Sequence, residues 1–244
     1  MKMKCIILVA GRNSRLDTGK PKSLIELNGI SLLERHIMQF SKTGCDHFCL
    51  VTGHNPQPIR DVVGLLSERY HVNIDITHND QYDLENGYSI SVTEDWVNQN
   101  AQSGFFLTMG DHVFDPKILE EFKKQILETK TKKSLYLAVD VPSESNHHID
   151  IEDVTRVLIN DKGQILNIGK MLDEYNRYDT GLFYMKPEVF HTLKQCFERE
   201  KYSISDMVNF LVKKKQAETR DILGYLWNDV DNQSDLEITT NLNF

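Results

Sequence analysis

The 244-residue sequence has no apolar run near the roughly 18 residues that cross a membrane, and its N-terminus lacks the charged, apolar and small-residue zones of a signal peptide. A soluble, cytoplasmic protein is expected, with no membrane insertion. Cysteines are few, at 5, 45, 49 and 196, and none forms a C-x-x-C pair. Cys5 and Cys49 stand in apolar strand-like runs where a thiol acts as a small hydrophobe, so reduced, structural cysteines are expected and a zinc site is not. Positive charge is also in deficit, with 28 Lys and Arg against 36 Asp and Glu for a formal charge of −8. Since the lysine runs are short, at Lys132–Lys133 and Lys213–Lys215, this balance argues against a nucleic-acid surface. Internal repeats and low-complexity linkers are lacking too. A chain of this length with 40% hydrophobic residues can bury one sizeable core, so one domain over 1–244 is expected.

Against the acidic background, four cations gather near the start. Residues 6–29 run from an apolar strand into a small, polar loop with Arg12, Arg15, Lys20 and Lys22, where Asp17 is the only acid and the local charge is about +3. Ala10 and Gly11 leave the backbone uncovered, so a ligand can approach its N–H groups. The combination suits a polyanion such as a nucleoside triphosphate; the plainer alternative is a tight strand-to-helix turn with solvated cations. Neither G-x-x-x-x-G-K-[ST] nor G-x-G-x-x-G follows the strand, which excludes a P-loop and a dinucleotide loop.

Strand-like runs at 4–10, 47–52, 72–77 and 104–109 alternate with helix-like stretches at 31–43, 57–70, 88–98 and 116–128. Such alternation predicts β-α-β units and an α/β fold whose mainly parallel sheet is flanked by helices. Ser31 with Glu34, and Asp115 with Pro116, mark two helix starts. From about residue 134 the pattern turns to short strands at 135–141, 154–159, 164–168 and 180–185, with an Asn160-Asp161-Lys162-Gly163 hairpin turn. That half, 134–244, reads as a β-rich acceptor region added to the sheet of the nucleotide-binding half, 1–133. Helices near 187–199 and 204–214 and a last strand at 221–230 complete it.

Ligands of open α/β sheets bind beyond the C-terminal ends of the strands, and acids collect there. Phe105 to Met109 is a strand releasing Asp111 at its tip, and the last strand carries Asp229 and Asp231 two residues apart, on one side of extended chain. Asp111, Asp229 and Asp231 are therefore the candidate ligands of a magnesium ion, which prefers carboxylates and keeps positions for water and phosphate. Acids at strand ends also cap helices, and that reading stays open.

The loop pattern L-x-A-G-x-x-x-R-L, then P-K-x-L-x-x-x-x-G, resembles the signature of nucleotidyltransferases that activate sugar and alcohol phosphates. Val9 and Asn13 stand where alanine and glycine are usual there, and Asn tolerates positive φ. Glu85-Asn86-Gly87-Tyr88-Ser89-Ile90, Met109-Gly110-Asp111-His112-Val113, Ile168-Gly169-Lys170, Asp179-Thr180-Gly181 and Asp229-Val230-Asp231 are similar to segments of the cytidylyltransferases acting on inositol 1-phosphate. The resemblance runs, with gaps, from residue 4 to about 237. It implies a single-domain Rossmann-like, GT-A-like fold and transfer of CMP from CTP to a phosphorylated polyol, giving a CDP-alcohol and pyrophosphate. By the same resemblance Arg15 would hold the β- and γ-phosphates and Lys22 the α-phosphate. Leu8, Ala10 and Gly11, with Arg12, Asn13 and Ser14, would line the nucleotide, and Asn79, Glu85, Asn86 and Gly87 would meet the base. Lys170 would hold the acceptor phosphate, with Asp179 and Thr180 on acceptor hydroxyls; Asp-Thr-Gly is equally a good turn.

Other readings stay open. A phosphocholine or aminoalkylphosphonate acceptor would call for an acidic or aromatic pocket, which Tyr175, Tyr178 and Asp179 could supply. A sugar 1-phosphate with UTP or GTP is a further option, and a non-catalytic nucleotide sensor a remote one. A glycosyltransferase would show Asp-x-Asp at a mid-chain strand end, whereas His112 and Val113 follow Asp111. His147-His148 with Asp150, Glu152 and Asp153 is rich in metal-ligand types but reads as a solvated loop, and His112, beside Asp111, is equally a substrate contact or a local hydrogen-bonding residue. Tyr88 and Trp96, eight apart, read as core packing on one helix. Oligomeric state is undetermined, a homodimer included.

Overall fold

The computed structural model describes residues 2–11, 19–242 and 244. In chain order the elements are β1 (Met3–Leu8), β2 (Glu26–Leu27), β3 (Ile30–Ser31), α1 (Leu32–Lys42), β4 (Cys45–Thr52), α2 (Gln57–Tyr70) and β5 (Asn73–His78). Next come α3 (Asn86–Ser91), α4 (Glu94–Asn100), β6 (Phe105–Met109), β7 (His112–Phe114), α5 (Pro116–Glu128) and β8 (Leu135–Asp140). The last are β9 (Arg156–Ile159), β10 (Ile165–Gly169), β11 (Arg177–Met185), α6 (Val189–Phe197), α7 (Ile204–Lys213), β12 (Ala217–Asp221), β13 (Trp227–Asp229) and α8 (Gln233–Asn241).

One nine-stranded sheet takes strands from both halves. Along its main path the order is β10-β9-β11-β6-β1-β4-β5, and β8 pairs with β11 and β12. The four strands from the first half, β6-β1-β4-β5, are parallel, and β11 closes onto β6 antiparallel. β1 is central and sealed on both faces, with Cys5, Ile6 and Ile7 fully buried, which is why it reads as a continuous apolar run. Successive residues feed opposite layers. Cys5, Ile7, Phe48 and Leu50 meet α1, α2 and α5 through Phe40, Ile59 and Phe122. Ile6, Leu8, Cys49 and Val51 meet α4, α6 and α7 through Val97, Phe190 and Met207.

The expected helix starts form with side-chain caps. Ser31 Oγ accepts from Glu34 N at 3.1 Å, and Asp115 Oδ1 accepts from Lys117 N at 2.9 Å. The Glu34 carboxylate is drawn outward to α2, where Arg69 and Tyr70 donate to it at 2.5 and 2.8 Å. Two expectations are corrected. The helix read over 88–98 is split into α3 and α4, because the Thr93 hydroxyl donates to Ile90 O at 2.7 Å and its backbone leaves helical geometry. Tyr88 and Trp96 consequently pack apart, the first on Phe197 and Tyr202, the second donating its Nε1–H to Asp75. The strand read over 221–230 is two strands, since Leu223 and Gly224 turn the chain at φ 61° and 73°. β12 joins β8, and β13 pairs antiparallel with β7.

Candidate active site

The C-terminal ends of β1 and β6 meet at Gly110, where a side chain would clash with Val9 Cγ1 at 2.6 Å and Leu8 O at 2.9 Å. This close approach aims the chain after β6 so that Asp111 emerges beside the loop that follows β1. β13 lies against β7 with Asp229 opposite His112, and Val230 N donates to Asp111 O at 3.0 Å. Val230 is buried against Val113 and Leu32, so Asp229 and Asp231 fall on the other side, as the two-residue spacing predicts.

A cavity of about 350 Å³ opens over these ends. Leu8, Ala10, Gly11, Tyr82, Asn86 and Ser89 wall one side, Asp111, His112, Asp229 and Asp231 its middle, and Asp153, Lys170, Asp179 and Gly181 the other. Of the residues expected on the nucleotide, Leu8, Ala10, Gly11 and Asn86 reach the wall. Asn86 Oδ1 also accepts from Ile204 N at 2.9 Å, which ties α3 to the start of α7. Asn79 is fully buried beneath the wall, and Gly87 packs on the backbone of Tyr202 and Ser203. Glu85, exposed before α3, is not among the wall residues. Arg12, Asn13, Ser14 and Arg15 lie outside the described residues. The expected acceptor pair separates along β11 by simple alternation: Asp179 and Gly181 face the cavity, while Thr180 is fully buried and donates to Ala138 O of β8 at 2.9 Å. Tyr175 and Tyr178 do not line the cavity either; they pack on each other, with Arg156 over Tyr175.

Lys22, on the turn after Pro21, places Nζ 3.2 Å from Asp111 Oδ2 and in contact with Asp231 Oδ1. Burial works against its charge, but the two carboxylates outweigh burial and raise its pKa. Asp111 is held well below the usual carboxylate range: burial pushes it up, and the hydrogen bond from His112 Nδ1 at 2.9 Å with the charges of His112 and Lys22 overcomes this. His112 is raised by Asp111 despite burial. Two further carboxyls lack such compensation. Burial lifts Asp179 to about 6, although it accepts from Gly181 N at 2.8 Å, and burial with nearby Asp231 and Asp111 lifts Asp229 to about 6. Lys170 pairs with Asp153, whose side chain is in turn hydrogen-bonded to Asp231. The two lysines are thus linked through Asp231 and Asp153, which both line the cavity.

Asp153, read with its neighbours as part of a solvated loop, is instead in the cavity wall and paired with Lys170, because the fold brings its loop beside Asp229 and Asp231. The rest of that segment is structural, with His148 Nε2 on Trp227 O at 2.9 Å and His147 on Glu144 O. Trp227 is stacked on His112 at 16° and donates to buried Asp140 at 2.9 Å, which fixes the ring behind the site. Among the described residues, no three His, Cys, Asp or Glu side chains form a ready-made metal cage.

Across 96% of its length the chain is 29% identical to a protein of Archaeoglobus fulgidus named bifunctional IPC transferase and DIPP synthase, of which it covers 42%. The chain spans at most about half the length of such bifunctional relatives. A UTP–glucose-1-phosphate uridylyltransferase of Haloferax volcanii is 24% identical, with 86% of this chain and 84% of that protein covered. The solved inositol-1-phosphate CTP transferase from T. maritima superposes with a TM-score of 0.82 at 27% identity, over 96% of this chain and 91% of that one. The model of the MobA-like NTP transferase domain matches residues 5–149, more than half of the sequence. The chain belongs to the MobA-like NTP transferase family.

Proposed function

We propose that the protein transfers CMP from CTP to inositol 1-phosphate, giving a CDP-alcohol and pyrophosphate. The observation that carries this reading is a pair of lysines tied to the acids of one cavity: Lys22 reaches the wall carboxylates Asp111 and Asp231, and Lys170, itself in the wall, is paired with Asp153. Two phosphorylated substrates require two such anchors. The likeness to the T. maritima enzyme over nearly the whole chain supports the choice of substrates.

In the proposed reaction an acceptor phosphate oxygen forms a bond to the α-phosphorus, and the bond to the bridging oxygen of pyrophosphate breaks in line. The acceptor phosphate is already ionised at neutral pH, so no side-chain nucleophile or general base is required; the obstacle is repulsion between anions. Lys22 compensates charge developing at the α-phosphate, and Lys170 exchanges Asp153 for the acceptor phosphate. Alignment of the two substrates can contribute roughly 7–11 kcal/mol in favourable cases. Asp179 accepts a hydrogen bond from an acceptor hydroxyl. Arg15 retains its expected role on the β- and γ-phosphates.

The donor chemistry at the centre fits magnesium. Asp111 and Asp231 supply hard carboxylate oxygens that both reach the Lys22 ammonium, with Asp229 nearby, and magnesium typically takes one or two carboxylates and fills its sphere with water and phosphate. When bound, the ion would neutralise phosphate charge. A second reading has one specific observation in its favour: Asp179 and Asp229 would suit an acceptor carrying a primary ammonium, such as an aminoalkylphosphonate. The same cavity offers no cage from Tyr175 and Tyr178 for a quaternary ammonium.

Pyrophosphate release with magnesium decides between these readings, with CTP, UTP and GTP each tested against inositol 1-phosphate, phosphocholine, 2-aminoethylphosphonate and glucose 1-phosphate. Release from CTP with inositol 1-phosphate is expected. Release only from another pair would replace the acceptor or donor proposed.

A further inference from the structure

Ser89 on α3 stands in the nucleotide-side wall of the cavity and is 5% exposed. Beneath it Asn79, fully buried, continues β5 by donating its backbone N–H to Thr52 O at 2.8 Å. The Asn79 amide has only one orientation available. Gln81 N, a backbone group that can only donate, lies 2.8 Å from Asn79 Oδ1, so the NH₂ end faces the opposite way. There it donates to Ser89 Oγ at 2.9 Å.

A serine hydroxyl carries two lone pairs and one proton. Asn79 takes a lone pair, and no described residue accepts the proton. In a nearly buried group an unmet donor is costly, and here it borders a cavity that Leu8 and Ala10 also line with apolar side chains. We infer that the Ser89 hydroxyl is a donor held ready for an acceptor atom on the edge of the nucleotide base, and that Asn79 is the positioning residue that sets its polarity.

This deepens, and rests on, the reading of the cavity as a nucleotide-transfer site. Cytosine presents N3 and O2 as neighbouring acceptors, whereas uracil carries a proton on N3. Cytosine N3 therefore satisfies the waiting proton, whereas uracil N3–H could meet only the remaining lone pair of Ser89 and would leave the proton unmet, so cytosine is favoured. The device selects the base without a charged group, and Asn79 contributes to it without touching the ligand.

Asn79→Asp reverses the polarity with little change of shape. One carboxylate oxygen still accepts from Gln81 N, and the other accepts the Ser89 proton, which turns Ser89 into an acceptor towards the cavity. The expected result is a fall of about tenfold in kcat/KM for CTP with no matching fall for UTP, so the CTP-to-UTP ratio drops. Ser89→Ala, which removes one hydroxyl and is the milder change, should lower the same ratio, and Ser89→Thr, which keeps the hydroxyl, should preserve it. A purely structural role predicts equal losses for both nucleotides; that result in Ser89→Ala would overturn the inference even if Asn79→Asp failed to fold. Calorimetric binding of CTP and UTP to the unmodified protein separates the two levels of the argument. If neither nucleotide binds, the nucleotide reading of the cavity is overturned, and this inference with it. If CTP binds and the ratio is unmoved in the variants, the inference alone is overturned.

Discussion

A carboxyl that folding buries beside too little positive charge holds its proton more tightly than in the unfolded chain, and Asp179 is such a group at about 6 against an ordinary 3.8. Between these values the folded chain binds more protons than the unfolded one, so the contribution of Asp179 to stability falls as pH rises from about 4 to 6 and is level above that. Asparagine can still accept from Gly181 N but cannot ionise. Asp179→Asn is expected to match the parent Tm near pH 4, to exceed it increasingly up to pH 6, and to keep a constant advantage beyond. A gap independent of pH, followed by thermal melting, would refute the assignment. The same residue shows how far single positions were legible. Asp111, Asp229 and Asp231 could be read because strand tips and two-residue spacing fix where a carboxylate points. Thr180 could not be placed until β8 was known to lie behind it, and Asp153 read as loop because its partners Lys170 and Asp231 are brought to it only by the fold.

At the scale of elements, β11 shows how alternation builds a wall. Its cavity face takes Asp179 and Gly181, and only glycine suits position 181: φ is +71°, and a Cβ would stand 2.4 Å from His112 Nε2. Gly181→Ala must strain the backbone or displace the ring that positions Asp111. A loss of about 1–3 kcal/mol in denaturant unfolding is expected, together with reduced turnover. Unchanged stability and turnover would mean that the ring yields freely. The parallel strands β1, β4 and β6 were readable because buried strands make continuous apolar runs, whereas β5, at the sheet edge with no buried residue, alternates Ile74 and Ile76 with polar positions. The α3–α4 break was not, since a single Thr93 hydroxyl bond decides it, and neither was α8, where only Thr239 is buried and the sequence shows no apolar stripe. β7, three residues long, is defined by its partner β13 rather than by its own pattern.

For the whole molecule the central fact is an excess of acid around two lysines. Lys22 lies between Asp111 and Asp231, and Lys170 is held by Asp153, within a chain of net charge −8. A divalent cation that binds only the folded protein should stabilise it, by about 1.4 kcal/mol at ten times its Kd, or roughly 3–6 °C in Tm for a chain of this size. Magnesium is expected to give such a shift, a chelator to reverse it, and Asp231→Asn to abolish most of it. In Lys22→Ala the shift should grow, because the carboxylates lose their resident cation. Equal shifts in all three proteins by differential scanning fluorimetry would place the ion elsewhere.

Lys22 and Asp231 are 209 residues apart in sequence. A chain emerging from the ribosome therefore presents its cationic loop and its first four parallel strands long before the carboxylate that balances Lys22 has been synthesised. The Lys22–Asp231 pair therefore forms only when β13 docks on β7, which makes it one of the last contacts available to a chain built from its N-terminus.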